Sequence, residues 1–258
     1  MLNKNKTQKI NIVSVLLEMS LVDNVEHAKS LINCKLVFLG DECLKTSSEI
    51  TQADIEAKGL RVKYSKPYVS RGAQKLLSVF KSIELDVKDL RCADIGCSTG
   101  GFTQLLLEKG AAFVCAVDVG KGLIDNKLKN DPKVLVMEGV NARIFSEYEV
   151  VRKNIPLGSL DLAVFDLSFI SLKLVVNSVT PYIKKQGCVI TLVKPQFEVD
   201  RENVEKGGVV RDQNVIDALL SDMKLFFGSN GLTVLKVVPS ELKGPSGNQE
   251  YFYVMQKK

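Results

Sequence analysis

A glycine-rich segment and an acidic residue follow two strand-like runs, where a nucleotide could bind. The first run ends in Asp94-Ile95-Gly96-Cys97-Ser98-Thr99-Gly100-Gly101-Phe102, and a helical pattern follows it. Glycines let the backbone approach a ligand closely, and a helix N-terminus offers free N–H groups. The next run ends in Asp118, whose carboxylate can accept hydrogen bonds from both ribose hydroxyls of an adenosine. These residue types predict a nucleotide-containing ligand.

The glycine spacing selects among nucleotide-binding patterns. The order Gly96-x-x-x-Gly100-Gly101 differs from the G-x-G-x-x-G of dinucleotide folds, and the sequence has no Walker-type G-x-x-x-x-G-K-[ST] loop. The segment resembles the first motif of S-adenosylmethionine-dependent methyltransferases. The alternative is a tight strand-to-helix turn without a ligand, and the agreement of Asp94, the glycines and Asp118 argues against it.

Two further strand-like runs end in Asp166 and Lys194. In a doubly wound sheet, ligands bind beyond the carboxyl ends of the strands, so both residues are expected to face the crevice of the glycine turn. The Pro-Pro typical of amine methyltransferases does not follow Asp166, and no proline precedes a cysteine nucleophile. A lysine–aspartate pair suits deprotonation of a hydroxyl, since burial or a second cation can leave one lysine able to accept a proton. An ordinary salt bridge is the alternative.

The composition excludes other chemistries. The 258 residues include one histidine, His27, so a His-rich metal site cannot form and no metal is expected. His27 is expected at a surface or boundary position. The six cysteines form no C-x-x-C pair and are expected to be free, buried thiols in a reducing compartment. The net charge of +5 permits a polyanionic partner. No apolar run approaches the ~18 residues of a spanning helix, so a cytoplasmic protein without membrane association is expected.

Apolar spacing divides the chain into a small module and a larger α/β domain. Residues 10–32 have helical spacing, and short extended pieces follow. Lys66-Pro67 breaks the chain, and Ser70 can cap a new helix. Seven strand-like runs then alternate with helical stretches, which predicts a doubly wound sheet. The runs are 91–95, 113–117, 134–137, 160–165, 189–193, 233–238 and 251–255, and the main helical stretches are 102–108, 172–183 and 215–227.

Four further stretches combine with these motifs into a specific pattern. They are Tyr68-Val69-Ser70-Arg71-Gly72-Ala73-Gln74-Lys75-Leu76, Asn141-Ala142-Arg143, Lys206-Gly207-Gly208-Val209-Val210-Arg211-Asp212 and Gly244-Pro245-Ser246-Gly247-Asn248-Gln249-Glu250-Tyr251-Phe252. In this order they resemble the TlyA-type hemolysin A family of ribosomal RNA 2′-O-methyltransferases, whose catalytic domain is similar to the FtsJ-like group. The resemblance covers nearly the whole chain.

The resemblance implies a Lys–Asp–Lys–Glu tetrad at Lys75, Asp166, Lys194 and Glu250. In that tetrad Lys194 acts as the base on a ribose 2′-hydroxyl, Asp166 and Lys75 position it and the hydroxyl, and Glu250 completes the hydrogen-bond network. The implied methyl donor is S-adenosyl-L-methionine, and the implied substrate is a cytidine ribose in the ribosomal RNA of ribosomal subunits. The implied cofactor-binding residues are Asp94, Gly96, Ser98, Thr99, Gly100, Gly101, Phe102 and Asp118, with Asn141 and Ala142 near the adenine.

The expected organisation has three parts. Residues 1–63 form a divergent α+β RNA-binding module similar to the fold of ribosomal protein S-four, residues 64–88 form a linker and the first catalytic helix, and residues 89–258 form a seven-stranded Rossmann-like methyltransferase domain. The module departs from the family pattern at Lys9-Ile10-Asn11, where Arg-Leu-Asp is usual. Two alternatives stay open: an RNA- or ribosome-binding protein without catalysis, and the membrane-active haemolysin that the family's older name suggests.

Overall fold

The computed structural model describes most of the chain, apart from short gaps and the side chains of His27 and Ser30. The described residues are 8–19, 21–22, 25–33, 35–62, 68–70 and 72–258. The predicted break at Lys66-Pro67, the Cys34 thiol and the surface position of the His27 side chain lie outside them. The chain divides into two compact units, Met1–Pro67 and Tyr68–Lys258.

The N-terminal unit is a small α+β structure. Its elements are β1 (Ile10–Asn11), α1 (Ile12–Glu18), α2 (Val25–Asn33), β2 (Val37–Leu39), β3 (Glu42–Cys43), β4 (Glu49–Ile50), α3 (Gln52–Lys58) and β5 (Leu60–Val62). Strand β1 pairs with β4, and β2 pairs with β3 and β5. Local sequence sets the helix starts: Asn11 accepts a hydrogen bond from the Val13 N–H, and Thr51 and Asp54 form a capping box at α3. Ile12 and Leu16 are buried in its core.

The second unit contains the predicted seven-stranded sheet. Its elements are α4 (Gly72–Ser82), β6 (Arg91–Ile95), α5 (Gly101–Glu108), β7 (Phe113–Asp118), α6 (Asn126–Lys129), β8 (Val134–Glu138), α7 (Glu149–Asn154), β9 (Leu160–Phe165), α8 (Val176–Val179), β10 (Ile183–Val193), α9 (Pro195–Glu198), α10 (Gln213–Ser229), β11 (Leu232–Pro239) and β12 (Tyr251–Lys257). The strand order is β11-β12-β10-β9-β6-β7-β8, and β12 runs antiparallel to both neighbours. The doubly wound α/β prediction is confirmed.

One predicted helical stretch differs from the structure. Residues 172–182 contain a 3-10 turn, the four-residue helix α8 and a second 3-10 turn, and Ile183, predicted as helical, is the first residue of β10. A helix restricts the rotamers of β-branched side chains, which lowers the helix propensity of Val175, Val176 and Val179. Pro181 lacks the backbone N–H that a continuous helix would need. The stretch is helical but interrupted.

The central sheet has an apolar core on each face. Successive strand residues point to opposite faces, so Ala93 and Ile95 join one core while Cys92 joins the other. Helix α10 covers the first face, and helices α4 and α5 cover the second. Asp94 has the same parity as Cys92, which places this fully buried carboxylate on the α4–α5 face.

The five described cysteines are all free. Cys92, Cys97 and Cys115 are buried, whereas Cys43 and Cys188 are partly buried. The expectation of free thiols agrees with the structure for these five, and complete burial holds for three of them.

Gly96 is a position where the fold requires glycine. Its φ is +84°, and a Cβ there would lie 2.5 Å from the Asp166 carbonyl oxygen. We expect Gly96→Ala to destabilise the protein by about 2 kcal/mol or more, because left-handed backbone alone costs ~1–2 kcal/mol. Urea denaturation would measure this. The matched control is Gly228→Ala in α10, where a Cβ meets nothing within 4 Å, and we expect equal or higher stability there. Equal effects of the two changes would contradict the prediction.

Candidate active site

The glycine turn is fixed between β6 and α5. Gly100 adopts a left-handed conformation (φ +94°, ψ +27°) as the residue before α5. Asp94 Oδ2 accepts hydrogen bonds from the backbone N–H and the hydroxyl of Thr103, at 2.8 and 2.7 Å. The carboxylate therefore ties the first turn of α5 to the end of β6.

Asp118 closes the turn from the end of β7. Its Oδ2 accepts a hydrogen bond from the Ser98 N–H, and its Oδ1 accepts one from the Gly120 N–H, both at 2.8 Å. The Asp118 carbonyl accepts a hydrogen bond from the Val140 N–H at 3.0 Å. This bond holds the chain segment that leads into Asn141 beside the end of β7. Each carboxylate oxygen of Asp118 has capacity for a second hydrogen bond.

A cavity of about 300 Å³ joins the turn to the predicted catalytic residues. Lys75, Asp166 and Lys194 lie in its wall. The lining also includes the predicted cofactor residues Asp94, Gly96, Ser98, Gly101 and Phe102. The predicted residues that do not line this cavity are Thr99, Gly100, Asp118, Asn141, Ala142 and Glu250.

Two lysine–carboxylate pairs lie at the cavity, one of them buried and the other partly exposed. Lys75 Nζ, on α4, donates a 2.6 Å hydrogen bond to Oε2 of Glu250, which directly precedes β12. Lys194 Nζ, after β10, lies 2.6 Å from Oδ1 of Asp166, after β9. The Glu250 side chain is fully buried, and that of Asp166 is 21% exposed. The four residues of the predicted tetrad are therefore two neighbouring ion pairs supplied by four separate elements.

Three buried carboxylate oxygens have no hydrogen-bond partner among the described residues. They are Asp94 Oδ1, Asp166 Oδ1 and Glu250 Oε1. Buried polar atoms are nearly always hydrogen-bonded, and an exception needs an explanation. Asp94 lines the cavity, so its Oδ1 is an acceptor available to a ligand's N–H or O–H group. Asp166 Oδ1 is instead the atom that lies 2.6 Å from Lys194 Nζ.

Burial changes the ionisation of Asp94. The pKa of its carboxyl is raised to about 7. Desolvation by burial is the largest cause, the charges of Asp166 and Asp118 act in the same direction, and the two hydrogen bonds from Thr103 oppose the shift. A nearby cationic ligand group would favour the ionised form.

Other cavity-lining residues were not predicted as site residues. Ser70, Ser168 and Pro245 all contribute to the wall. The sequence offered Ser70 only as a helix cap, and its Oγ does accept the Gly72 N–H at 3.2 Å. Ser168 stands two residues after Asp166, and that position near a strand end was the available signal.

The described residues contain neither a metal-binding group nor a membrane-spanning helix. No group of three or more His, Cys, Asp or Glu among them could hold a metal ion. Within the same residues, no helix is long and apolar enough to cross a membrane.

The strand order and the glycine turn after β6 are those of a Rossmann-like methyltransferase fold. Aeropyrum pernix fibrillarin with bound S-adenosyl-L-methionine shares this fold, with a TM-score of 0.51 and 16% identity over 76% of this chain and 79% of that one.

Sequence comparison identifies the family. The FtsJ-like methyltransferase family matches residues 68–257, and the chain belongs to this family. The 16S/23S rRNA (cytidine-2'-O)-methyltransferase TlyA of Mycobacterium tuberculosis is 42% identical over 192 residues, 72% of this chain and 68% of the relative. The solved structure of a candidate hemolysin from Streptococcus thermophilus has 33% identity and a TM-score of 0.73, over 97% of this chain and 89% of that chain. The predicted TlyA-type resemblance is confirmed.

Asp94 gives a pH prediction. Its folded pKa of about 7 lies above the ~3.9 of an unfolded chain. The folded state therefore binds more protons between these values, so its contribution to stability falls as pH rises from about 4 to 7. We expect Asp94→Asn to gain stability relative to the wild type as pH rises, measured by urea denaturation at pH 5 and 8. The matched control is Asp86→Asn at an exposed position, which we expect to follow the wild type at both pH values. If the free energy of unfolding of Asp94→Asn also changed between pH 5 and 8 by the same amount as that of the wild type, the raised pKa of Asp94 would be refuted.

The Lys75–Glu250 pair gives a stability prediction. Removing one member of a buried ion pair leaves an uncompensated charge and costs about 3–5 kcal/mol. We expect that loss for Glu250→Gln, and we expect Lys75→Met in the same chain to recover most of it. Denaturant titration would measure both. Glu149→Gln breaks the exposed Glu149–Lys153 pair and should cost less than about 0.5 kcal/mol. Additive losses in the double variant would contradict the pairing.

Proposed function

We propose that this enzyme transfers the methyl group of S-adenosyl-L-methionine to the ribose 2′-hydroxyl of a cytidine in ribosomal RNA. The observation that carries the proposal is the cavity shared by the glycine turn and by Lys75, Asp166 and Lys194. The Mycobacterium tuberculosis relative is a 16S/23S rRNA (cytidine-2'-O)-methyltransferase, which supports the choice of substrate.

The residues present fit the methyl donor. Asp94 offers a buried acceptor to an ammonium group, the N-terminus of α5 offers N–H groups to a carboxylate, and Asp118 offers oxygens to ribose hydroxyls. Bound S-adenosyl-L-methionine supplies a methyl group activated by a sulfonium. The holding residues we assign are Asp94, Gly96, Ser98, Thr99, Gly100, Gly101, Phe102 and Asp118, with Asn141 and Ala142 at the adenine.

Lys194 is the proposed base. Its Nζ lies in the cavity wall, where it can accept the proton that the ribose 2′-hydroxyl loses. Asp166 holds the amine in place through the 2.6 Å contact. Lys75 positions the hydroxyl as a hydrogen-bond donor, and Glu250 fixes Lys75. These residues contribute mainly by holding the oxygen close to the methyl group and in line with it.

The physiological substrate that we propose is a ribosomal subunit. The N-terminal unit, residues 1–63 in our assignment, would act as the RNA-binding module, with 64–88 leading into the methyltransferase domain of residues 89–258. A ribosomal RNA substrate places the reaction in the cytoplasm, and phosphate contacts would make binding depend on salt.

The decisive assay uses labelled S-adenosyl-L-methionine and ribosomal subunits that lack the modification. We expect label in rRNA at a cytidine ribose, mapped by resistance of the neighbouring phosphodiester to alkali. Lys194→Ala should lower the rate at least about 100-fold, since general base catalysis contributes 10²–10⁴. Exposed Lys185→Ala serves as the lysine control.

Three results would contradict the proposal. Transfer that persists in Lys194→Ala would exclude Lys194 as the base. Binding of subunits without S-adenosyl-L-methionine binding in calorimetry would favour an RNA-binding protein without catalysis. Dye release from liposomes at low protein concentration would favour the haemolysin alternative.

A further inference from the structure

The amine of Lys194 has two neighbours of different geometry. Asp166 Oδ1 is 2.6 Å away but lies outside hydrogen-bonding angles, and no other described residue donates to it. Ser168 Oγ accepts a hydrogen bond from Lys194 Nζ at 2.9 Å. The carboxylate therefore supplies charge, whereas the hydroxyl satisfies the directional requirement of a hydrogen bond.

A lysine base needs its lone pair aimed at the hydroxyl that it deprotonates. The neutral amine has two N–H groups and one lone pair, and rotation about the Cε–Nζ bond changes where the lone pair points. An acceptor fixed beside the amine takes one N–H and so restricts that rotation. A hydroxyl does this without adding a second negative charge, which would favour the protonated lysine.

Ser168 and Lys194 are held together by the turn after Ser168 and by hydrogen bonds between its loop and α9. Phe169 adopts a left-handed φ of 63°, so the chain turns directly after Ser168. Further along the same loop, the Ser171 hydroxyl and the Leu172 N–H donate to the two oxygens of Glu198 at 2.6 and 2.8 Å. Glu198 ends α9, the short helix that begins directly after Lys194. The loop after β9 and the segment after β10 are thus hydrogen-bonded at two places, between Ser168 and Lys194 and again at Glu198.

Ser168 also lines the cavity. We propose that Ser168 is a positioning residue for the methyl transfer, which orients the Lys194 amine toward the substrate hydroxyl. The inference rests on the proposed function and adds a residue to the Lys–Asp–Lys–Glu set. The charged groups that share the cavity with Lys194 are Asp166, Lys75 and Asp94, and Glu250 is paired with Lys75.

The test compares Ser168→Ala, Ser168→Thr and wild type in the subunit assay. Ser168→Ala should lower kcat about tenfold, the effect of one lost hydrogen bond, with KM for subunits and Kd for S-adenosyl-L-methionine within about twofold of wild type. A hydroxyl acceptor binds an ammonium more strongly than an amine. Its loss should therefore move the acid limb of the pH–rate profile toward lower pH. Ser168→Thr keeps the hydroxyl and should retain the wild-type kcat and the wild-type position of the acid limb.

The matched control is Ser78→Ala, which removes a buried hydroxyl that donates to the Lys75 carbonyl on α4. This change should lower Tm without moving the pH limb. An unchanged kcat and limb in folded Ser168→Ala would overturn the inference while leaving the proposed function intact, as would equal losses in Ser168→Ala and Ser168→Thr. Absence of transfer by the wild type would overturn the proposed function and this inference with it.

Discussion

The constraint on which the site depends is the contact between Gly96 and the main chain of Asp166. A Cβ on Gly96 would approach the Asp166 carbonyl oxygen to 2.5 Å, and the Asp166 N–H donates to the Ile95 carbonyl at 3.0 Å. Since β6 and β9 are parallel neighbours, their carboxyl ends reach this point together. The glycine turn and the Asp166 carboxylate are adjacent because two strand ends pack backbone to backbone there.

Charge burial follows from that arrangement. The cavity wall holds Asp94, Asp166, Lys75 and Lys194, and an unpaired charge in such a place would be costly. Pairing of each lysine with one carboxylate offsets part of this cost, and in the Lys75–Glu250 pair it leaves Glu250 Oε1 without a hydrogen bond. Asp94 is paired with neither lysine, and its Oδ1 remains as an acceptor for a ligand in the cavity wall.

The parts of the site that could be predicted from sequence are those tied to strand ends. Asp118 and Lys194 each follow a periodic apolar run, and the parallel-sheet rule then places them at one edge. Lys75 and Glu250 are 175 residues apart, on a helix and beside an antiparallel strand. Periodicity carries no information on that contact, so only the family resemblance indicated them. Pro181 was a signal in the sequence for the interrupted helix. The contact of Ser168 with Lys194 depends on backbone geometry that residue types alone do not determine.

The two lysines are held differently, and the difference supports their separate roles. Lys75 makes a well-formed hydrogen bond to a carboxylate with no solvent exposure, which suits a fixed donor that holds a substrate oxygen. Lys194 is hydrogen-bonded to a neutral hydroxyl and lies off-angle to a partly exposed carboxylate. That arrangement orients the amine and leaves Nζ able to form a hydrogen bond with a group in the cavity. A group that must receive a proton and release it again in each turnover is better served by the second environment than by the first.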